Sequence, residues 1–422
     1  MSTRLFGLVA QKYWPDSSVL HKVWTEVQEN LEGLYDESRM IITNEEMDRA
    51  DFSEDDILII IPLSGGCQPQ LLDIALHAKS VLLFAAYIKG NISDEASDLM
   101  IKANAAPAFM DCWGVLRRKL RDVQLVLSCA EIRRALTIIK AGNKFQSSKL
   151  ILIGNTEPWV ISVSRDLDKY KKLGIEIQHI DQFAIAEKYI NMTDEDGSRY
   201  YEWFSANITD CVEPSEADVK NSCRMTAVLM DLLEKNNADG IAIACFNLLA
   251  LGVTACLAVS YINDCTDKVA ACEGDLDSAC TMLLMKKISS SKLWIANPSI
   301  QPDRTISFSH CTAPIYVCGK ACPSILRSHH ESGIGASLDV EMPANSVCTL
   351  CRISIEDRAV TIQKGNTFHG RKEPACRTQI NVRLDNPEHY FETVLGCHQT
   401  IAFEDISDDL MKIAKRVGLA VL

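Results

Sequence analysis

KLILIGN, residues 149–155, decides how the fold is read. It is an apolar strand ending in a glycine turn, and it follows the helical pattern RALTIIKAGNKFQSS (134–148). Ahead of it, RLFGLVA (4–10), DILIIIPL (56–63), SVLLFAAY (80–87) and APAFMD (106–111) read as strands separated by helices such as QPQLLDIALHA (68–78). Strands alternating with helices indicate a parallel sheet with crossover connections. At KLILIGN the alternation restarts and runs through GIEIQHI (174–180), a helix over about 213–236, GIAIACF (240–246), a helix near 251–263, KVAACEG (268–274) and KLWIANP (292–298). A restart of this kind implies a second α/β domain.

Beyond residue 300 the texture changes to short alternating runs: TISFSHC, PIYVCGK, GASLDVEM, SVCTLCRISI, AVTIQKG, TQINVRL and QTIAFED. Period-two alternation is the mark of an antiparallel β domain, here closed by one helix, SDDLMKIAKRVG (407–418). The expected fold class is therefore α/β. Two doubly wound parallel-sheet domains (1–145 and 146–300) precede a C-terminal antiparallel β domain (301–422). The second would carry Glu273 and Asn297, and the third His310 and His398. Six of the nine histidines lie beyond residue 300, so polar chemistry gathers there.

Length and charge narrow the function. A chain of 422 residues with 47% hydrophobic and 23% charged residues is globular and multidomain. A net charge of −13 argues against a phosphate-backbone partner, because nucleic-acid binding rests largely on Lys and Arg. MSTRLFGLVAQKYWPD has no signal-peptide pattern and no run reaches a membrane span, so a cytoplasmic protein without nucleic-acid or membrane partners is expected. Seventeen cysteines then read as reduced thiols. Cys318, Cys322, Cys348 and Cys351 imitate a zinc ribbon, but Cys348 and Cys351 sit three apart on a strand and would face opposite ways. LSGGCQPQ (63–70) lacks the further glycines of a nucleotide-binding loop and reads as a strand-to-helix turn.

Four stretches place a Glu, Asn or His near a predicted strand end: ACEGD (271–275), WIANP (294–298), SFSHCTAP (307–314) and LGCHQTIAFED (395–405). Open α/β sheets present ligands at such ends. Each residue also has a bland reading. Glu273 and Asp275 suit a helix N-terminus, and His310 alternates along an apolar strand. On these stretches, with RSHHESG (327–333) and CRTQINV (376–382), the sequence resembles the L-fucose isomerase-like family, related to the L-arabinose isomerases. The specific motifs lie in the C-terminal half; over residues 1–200 only the two-domain layout matches.

The resemblance implies a metal-dependent aldose–ketose isomerase, assembled as a homo-oligomer (trimer or hexamer). It implies one divalent cation, Mn²⁺ in most members, held by Glu273, the residue at 297 and His398. Moving a carbonyl between C1 and C2 requires removal of an adjacent proton and passage through a cis-enediolate. A hard cation on both oxygens and a carboxylate base serve that chemistry, with Glu273 as ligand and base. Asn297 departs from the family's Asp: its amide oxygen can coordinate but takes no proton. Asp275 and Asp303 are the nearest replacements, and Asp275 is taken as the second catalytic carboxylate. His310, His329, His330, Arg377 and Gln379 are candidate contacts for sugar hydroxyls or an anionic group, and Trp113 a candidate stacking platform. The expected function is isomerisation of a sugar or sugar derivative. The alternatives are another metal-enediolate reaction (epimerase or aldolase), or a non-catalytic sugar-binding protein on the same scaffold.

Overall fold

Strand β3 (Ile57–Pro62) is buried along its whole length, as a strand covered on both faces must be. Around it, β1 (Thr3–Val9), β2 (Glu37–Ile42), β4 (Ser80–Phe84) and β5 (Val123–Val126) complete a parallel sheet of order β2-β1-β3-β4-β5. Its helices are α1 (Ser17–Asn30), α2 (Gln68–Leu76), α3 (Asp94–Lys102), α4 (Ala105–Lys119) and α5 (Cys129–Phe145). The computed structural model describes residues 2–14, 16–42, 52–120 and 122–422. The chain divides into two units, Met1–Ile139 and Lys140–Leu422, with the boundary inside α5. No helix among the described residues is long and apolar enough to cross a membrane.

In the second unit, β6 (Lys149–Ile153), β7 (Glu176–Ile180), β9 (Gly240–Ile243) and β10 (Val269–Ala271) form a parallel sheet of order β10-β9-β6-β7. Its helices are α6 (Leu167–Lys171), α7 (Gln182–Asn191), α8 (Asp194–Asn207), α9 (Glu216–Lys235), α10 (Cys256–Cys265) and α11 (Leu276–Lys286). Strand β8 (Asp210–Cys211) joins β13 (Ser324–Arg327) and β14 (Ser337–Val340) in a small sheet. The antiparallel strands are β11 (Trp294–Ile300), β12 (Ile306–His310), β15 (Val347–Ser354), β16 (Ala359–Phe368), β17 (Thr378–Leu384) and β18 (Gln399–Ala402). Their order is β15-β18-β11-β12-β17-β16, and pairing of β15 with β16 closes the ring into a barrel. Strand β19 (Ala420–Val421) adds to β16, and helices α12 (Pro387–Thr393) and α13 (Ser407–Arg416) flank the late strands. Trp294, Ile306, Phe308, Leu350, Ile380, Val382 and Ile401 are buried in one cluster.

Three expectations are corrected. APAFMD is not a strand but the first half of α4, because Ala105, Ala108, Phe109, Cys112 and Leu116 form a buried stripe at helical spacing. KLWIANP is a strand, but β11 belongs to the antiparallel barrel: it turns through Asp303, whose carboxylate accepts from the Thr305 N–H and hydroxyl, and returns as β12. Asn297 therefore sits in the barrel and not in the parallel sheet. PIYVCGK forms no strand. Its amides at Ile315 and Tyr316 donate to the buried carboxylate of Asp264 at 2.7 and 3.1 Å, which satisfies them outside any ladder.

Asp264 thus substitutes for a missing strand partner, and burial pushes its carboxyl above the ordinary range. Removing it with Asp264→Ala leaves two buried N–H groups without acceptors, at roughly 1–3 kcal/mol each. The expected loss is about 2 kcal/mol or more in urea unfolding, with Asp264→Asn losing less. Equal stability of the alanine variant and the wild type would refute this role.

Candidate active site

The loops at the C-terminal ends of β6, β9 and β10 converge on Glu273. Its backbone has φ +57° and Gly274 follows at φ +63°, a left-handed pair that a glutamate adopts only when its surroundings impose it. The surroundings do: Glu157 N–H donates to Glu273 O (3.0 Å), Thr156 Oγ1 to Gly274 O (2.8 Å), and Gly274 N–H to Ile243 O (2.8 Å). A Cβ on residue 274 would lie 2.7 Å from Thr156 Cα, so the close approach requires glycine. Trp159 Nε1–H then holds Glu273 Oε2 at 2.7 Å.

Two residues on, Asp275 caps α11 by accepting from Ser278 N–H at 2.7 Å. The helix-cap reading was correct, and incomplete. The same carboxylate accepts from Arg352 Nη1 (2.7 Å) and from His398 Nδ1 (2.8 Å). All three groups are buried. Although burial opposes ionisation, the Arg352 charge and the bond to His398 hold the Asp275 carboxyl well below its usual range. Burial would likewise depress His398, but its bond to Asp275 and the nearby Glu273 carboxylate outweigh this and raise it to about 10.

Because an ionised carboxylate only accepts, Nδ1 of His398 carries the hydrogen, and Nε2 turns toward Glu273. That Nε2 lies 3.5 Å from Glu273 Oε1, at ion-pair distance, yet it is buried without a hydrogen-bond partner. His310 meets it from the end of β12, the two rings being 5.6 Å apart. One ligand atom from each of Glu273, His310 and His398 lies within 4.8 Å of the others, and among the described residues no other group of His, Cys, Asp and Glu is so placed. Burial, and then the charge of His398, lower His310 to about 3, so its imidazole is neutral with a lone pair available. His310 Nδ1 is 2.8 Å from Thr312 Oγ1, which leaves Nε2 as the free donor. An orphaned buried nitrogen beside a second imidazole and a carboxylate fits a divalent cation. Asp275 would then orient His398 from behind and is not itself in the cluster.

The other candidate residues scatter. Asn297 is half-buried, opposite Ser309 in the ladder, and it neighbours His398 because Ala296 pairs with Gln399. His329 stacks edge-on against Phe246 at 5.6 Å and lies 3.0 Å from Glu331. Arg377 binds the Ser328 carbonyl (2.9 Å) and hydroxyl (3.0 Å). The Gln379 amide accepts from Glu373 N–H and donates to Glu373 O and Cys376 O, tying down the preceding loop. Trp113 packs half-buried on α4 in the first unit. Of the zinc-ribbon cysteines, Cys348 is buried against Gly365 O and Cys318 is exposed.

Sequence reasoning missed Arg352, Trp159, Phe246 and Glu157. Glu157 is buried, accepts from Phe246 N–H at 3.3 Å, and is pushed above the ordinary carboxylate range by burial and by the charge of Glu273. Trp159 meets Phe246 edge-on at 4.9 Å, so the two aromatics and His329 form a continuous row beside Glu273. The available signals were an arginine inside the apolar run SVCTLCRISI and the loop GNTEPW directly after a strand.

These features define a class: a mixed α/β protein with a β-barrel, whose carboxylate–diimidazole cluster lies where a parallel sheet meets barrel strands. No protein-family model matches the chain. The chain is similar to sulfoquinovose isomerase of Alkalicoccus urumqiensis, with 22% identity over 231 residues, 49% of this chain and 49% of that protein. The match thus spans about half the length of that curated relative.

The buried network makes stability depend on pH in two directions. The depressed Asp275 contributes fully above its unfolded value of 3.8, and that contribution drains away as pH falls below it. The raised His398 contributes fully below its unfolded value of 6.5 and loses its share as pH climbs through about 10. Thermal melts of the metal-free protein should therefore peak between these limits, with His398→Gln flattening the alkaline limb. Asp275→Asn should cost about 3–5 kcal/mol by stranding Arg352. A wild-type Tm constant from pH 6.5 to 10 would contradict the assignment.

Proposed function

We propose that the chain is a divalent-metal-dependent aldose–ketose isomerase acting on a sugar or sugar derivative. The observation that carries this reading is the convergence of Glu273, His310 and His398, with His398 fixed through Nδ1 so that its unpartnered Nε2 faces the other two. The likeness to a sulfoquinovose isomerase supports it and places a sulfonated hexose first among the substrates to try. Glu273, His310 and His398 would hold the cation, with the amide oxygen of Asn297 as a candidate fourth donor. The carboxylate and the amide oxygen are donors that suit Mn²⁺.

When bound, the cation supplies Lewis acidity that stabilises negative charge developing on the two sugar oxygens. Glu273 removes the proton next to the carbonyl and returns it to the neighbouring carbon. Trp159 fixes the Glu273 carboxylate through Oε2, so it cannot rotate away between the two transfers. Asp275 keeps His398 in one tautomer, and the Trp159–Phe246–His329 row lies beside the base. Asn297 moves no proton, which leaves Glu273 as the base for both carbons. The resemblance of its motifs to the L-fucose isomerase-like family supports a closed homo-oligomer as the working assembly, which sedimentation over a dilution series would read.

Proton NMR in D₂O with Mn²⁺ tests the reaction on sulfoquinovose and a panel of aldoses and ketoses. Exchange of the C2 proton with appearance of the ketose is expected. Glu273→Gln should lower the rate by about 10²–10⁴ and weaken Mn²⁺ binding in calorimetry. Fragments would indicate aldol cleavage, exchange with a C2 epimer as product an epimerase, and binding without exchange a sugar-binding protein; each would displace the isomerase reading.

A further inference from the structure

Thiols that the proposed chemistry leaves unused lie directly behind its ligands. Cys256, Cys311 and Cys376 form a buried cluster of their own. Cys311 follows His310 in sequence and Cys376 precedes Arg377. His310 pairs with Thr378 on the last rung of the β12–β17 ladder. The two cysteines therefore meet where both chains have just left the ladder. Cys311 and Cys376 share that cluster and lie near enough for each thiol to perturb the other. The Cys376 thiol donates to Glu331 Oε1 at 3.6 Å. A thiol tied to a carboxylate thus sits in one cluster with a second sulfur, in a place that packing alone would fill with any small apolar side chain.

We propose that Cys311 and Cys376 are an oxidation site, closed to a disulfide by a hydroperoxide. Each thiol gives up its hydrogen, an S–S bond forms and the peroxide O–O bond breaks. The peroxide leaves as one alcohol and one water, or as two waters from hydrogen peroxide. Two sulfurs lose two electrons in total and the peroxide gains them. The sulfurs must close from contact distance to about 2.05 Å, a displacement that two segments lying outside the ladder can absorb. Cys256, the third member of the cluster, is carried on the first turn of α10, where a shift toward Cys311 would have to move the helix.

Hydrogen peroxide titration of the full chain, followed by alkylation of free thiols and non-reducing peptide mapping, tests the site. The expected result is one cross-linked peptide pair joining Cys311 to Cys376, two hydrogens lighter than its parts and separated by dithiothreitol. In Cys376→Ser the cross-link should vanish and Cys311 should be trapped by dimedone as a sulfenic acid. The exposed Cys318 and Cys397 serve as internal clocks. Recovery of Cys311 as an alkylated free thiol at doses that oxidise both would overturn the proposal, as would a cross-link to Cys256 instead. The map is read without turnover, so its outcome is independent of whether the chain isomerises a sugar.

Discussion

The carboxylate of Asp275 is the point through which the second unit is tied together. It ends the loop after β10, starts α11 by capping Ser278, receives Arg352 from barrel strand β15, and holds His398 ahead of strand β18. A parallel sheet and a barrel, built by different pairing rules, are thereby bridged at one buried carboxylate, beside the bonds that Thr281 and Asp277 of α11 accept from Ile353 N–H and Ile355 N–H of the barrel side. A buried ion pair of this kind contributes little net stability against an apolar replacement, but removal of one member is costly. Its worth here is positional. The bonds that satisfy Asp275 also decide which nitrogen of His398 faces Glu273.

The same economy shows in the backbone at Glu273. A left-handed glutamate is unfavourable by itself, and three main-chain and side-chain hydrogen bonds from the neighbouring loops hold it there. Those bonds come from the turns after β6 and β9, so the parallel sheet acts as the rigid support and the strain is concentrated at the one side chain that faces the cluster. Trp159 completes the constraint by holding the outer carboxylate oxygen. Both devices limit the positions Glu273 can take.

Much of this was legible in the sequence. Apolar runs of strand length separated by amphipathic segments revealed both parallel sheets, and period-two alternation revealed the antiparallel β domain, though not its closure into a barrel, because those patterns follow directly from which faces are buried. What stayed hidden was pairing over distance. APAFMD misled because a short apolar run has no period of its own; only the stripe continuing to Leu116 marks it as helix. PIYVCGK has strand composition, but Asp264, fifty-one residues away in the chain, takes its amides. The cluster behaved similarly. Glu273 and His398 were readable from motifs, whereas the inclusion of His310 and the orienting role of Asp275 depend on side chains brought together across the ladder, which one sequence does not encode locally.

The order of strands in the barrel bears on how the protein comes into being during synthesis. Strand β18 inserts between β15 and β11, and His398 lies 123 residues after Asp275. At about 5–20 residues per second, a ribosome needs roughly 6–25 seconds to make that interval. Over its last 46 residues, about 2–9 seconds, the nascent chain holds Asp275 and Arg352 with no imidazole between them, and β11 and β15 with their facing edges unpaired. Those edges are sticky while they wait. Strand β18 seals the ring and His398, directly ahead of it, completes the cluster, so a chain that stops short of them displays open strands and an unfinished site together, a condition that quality-control proteases and chaperones can recognise.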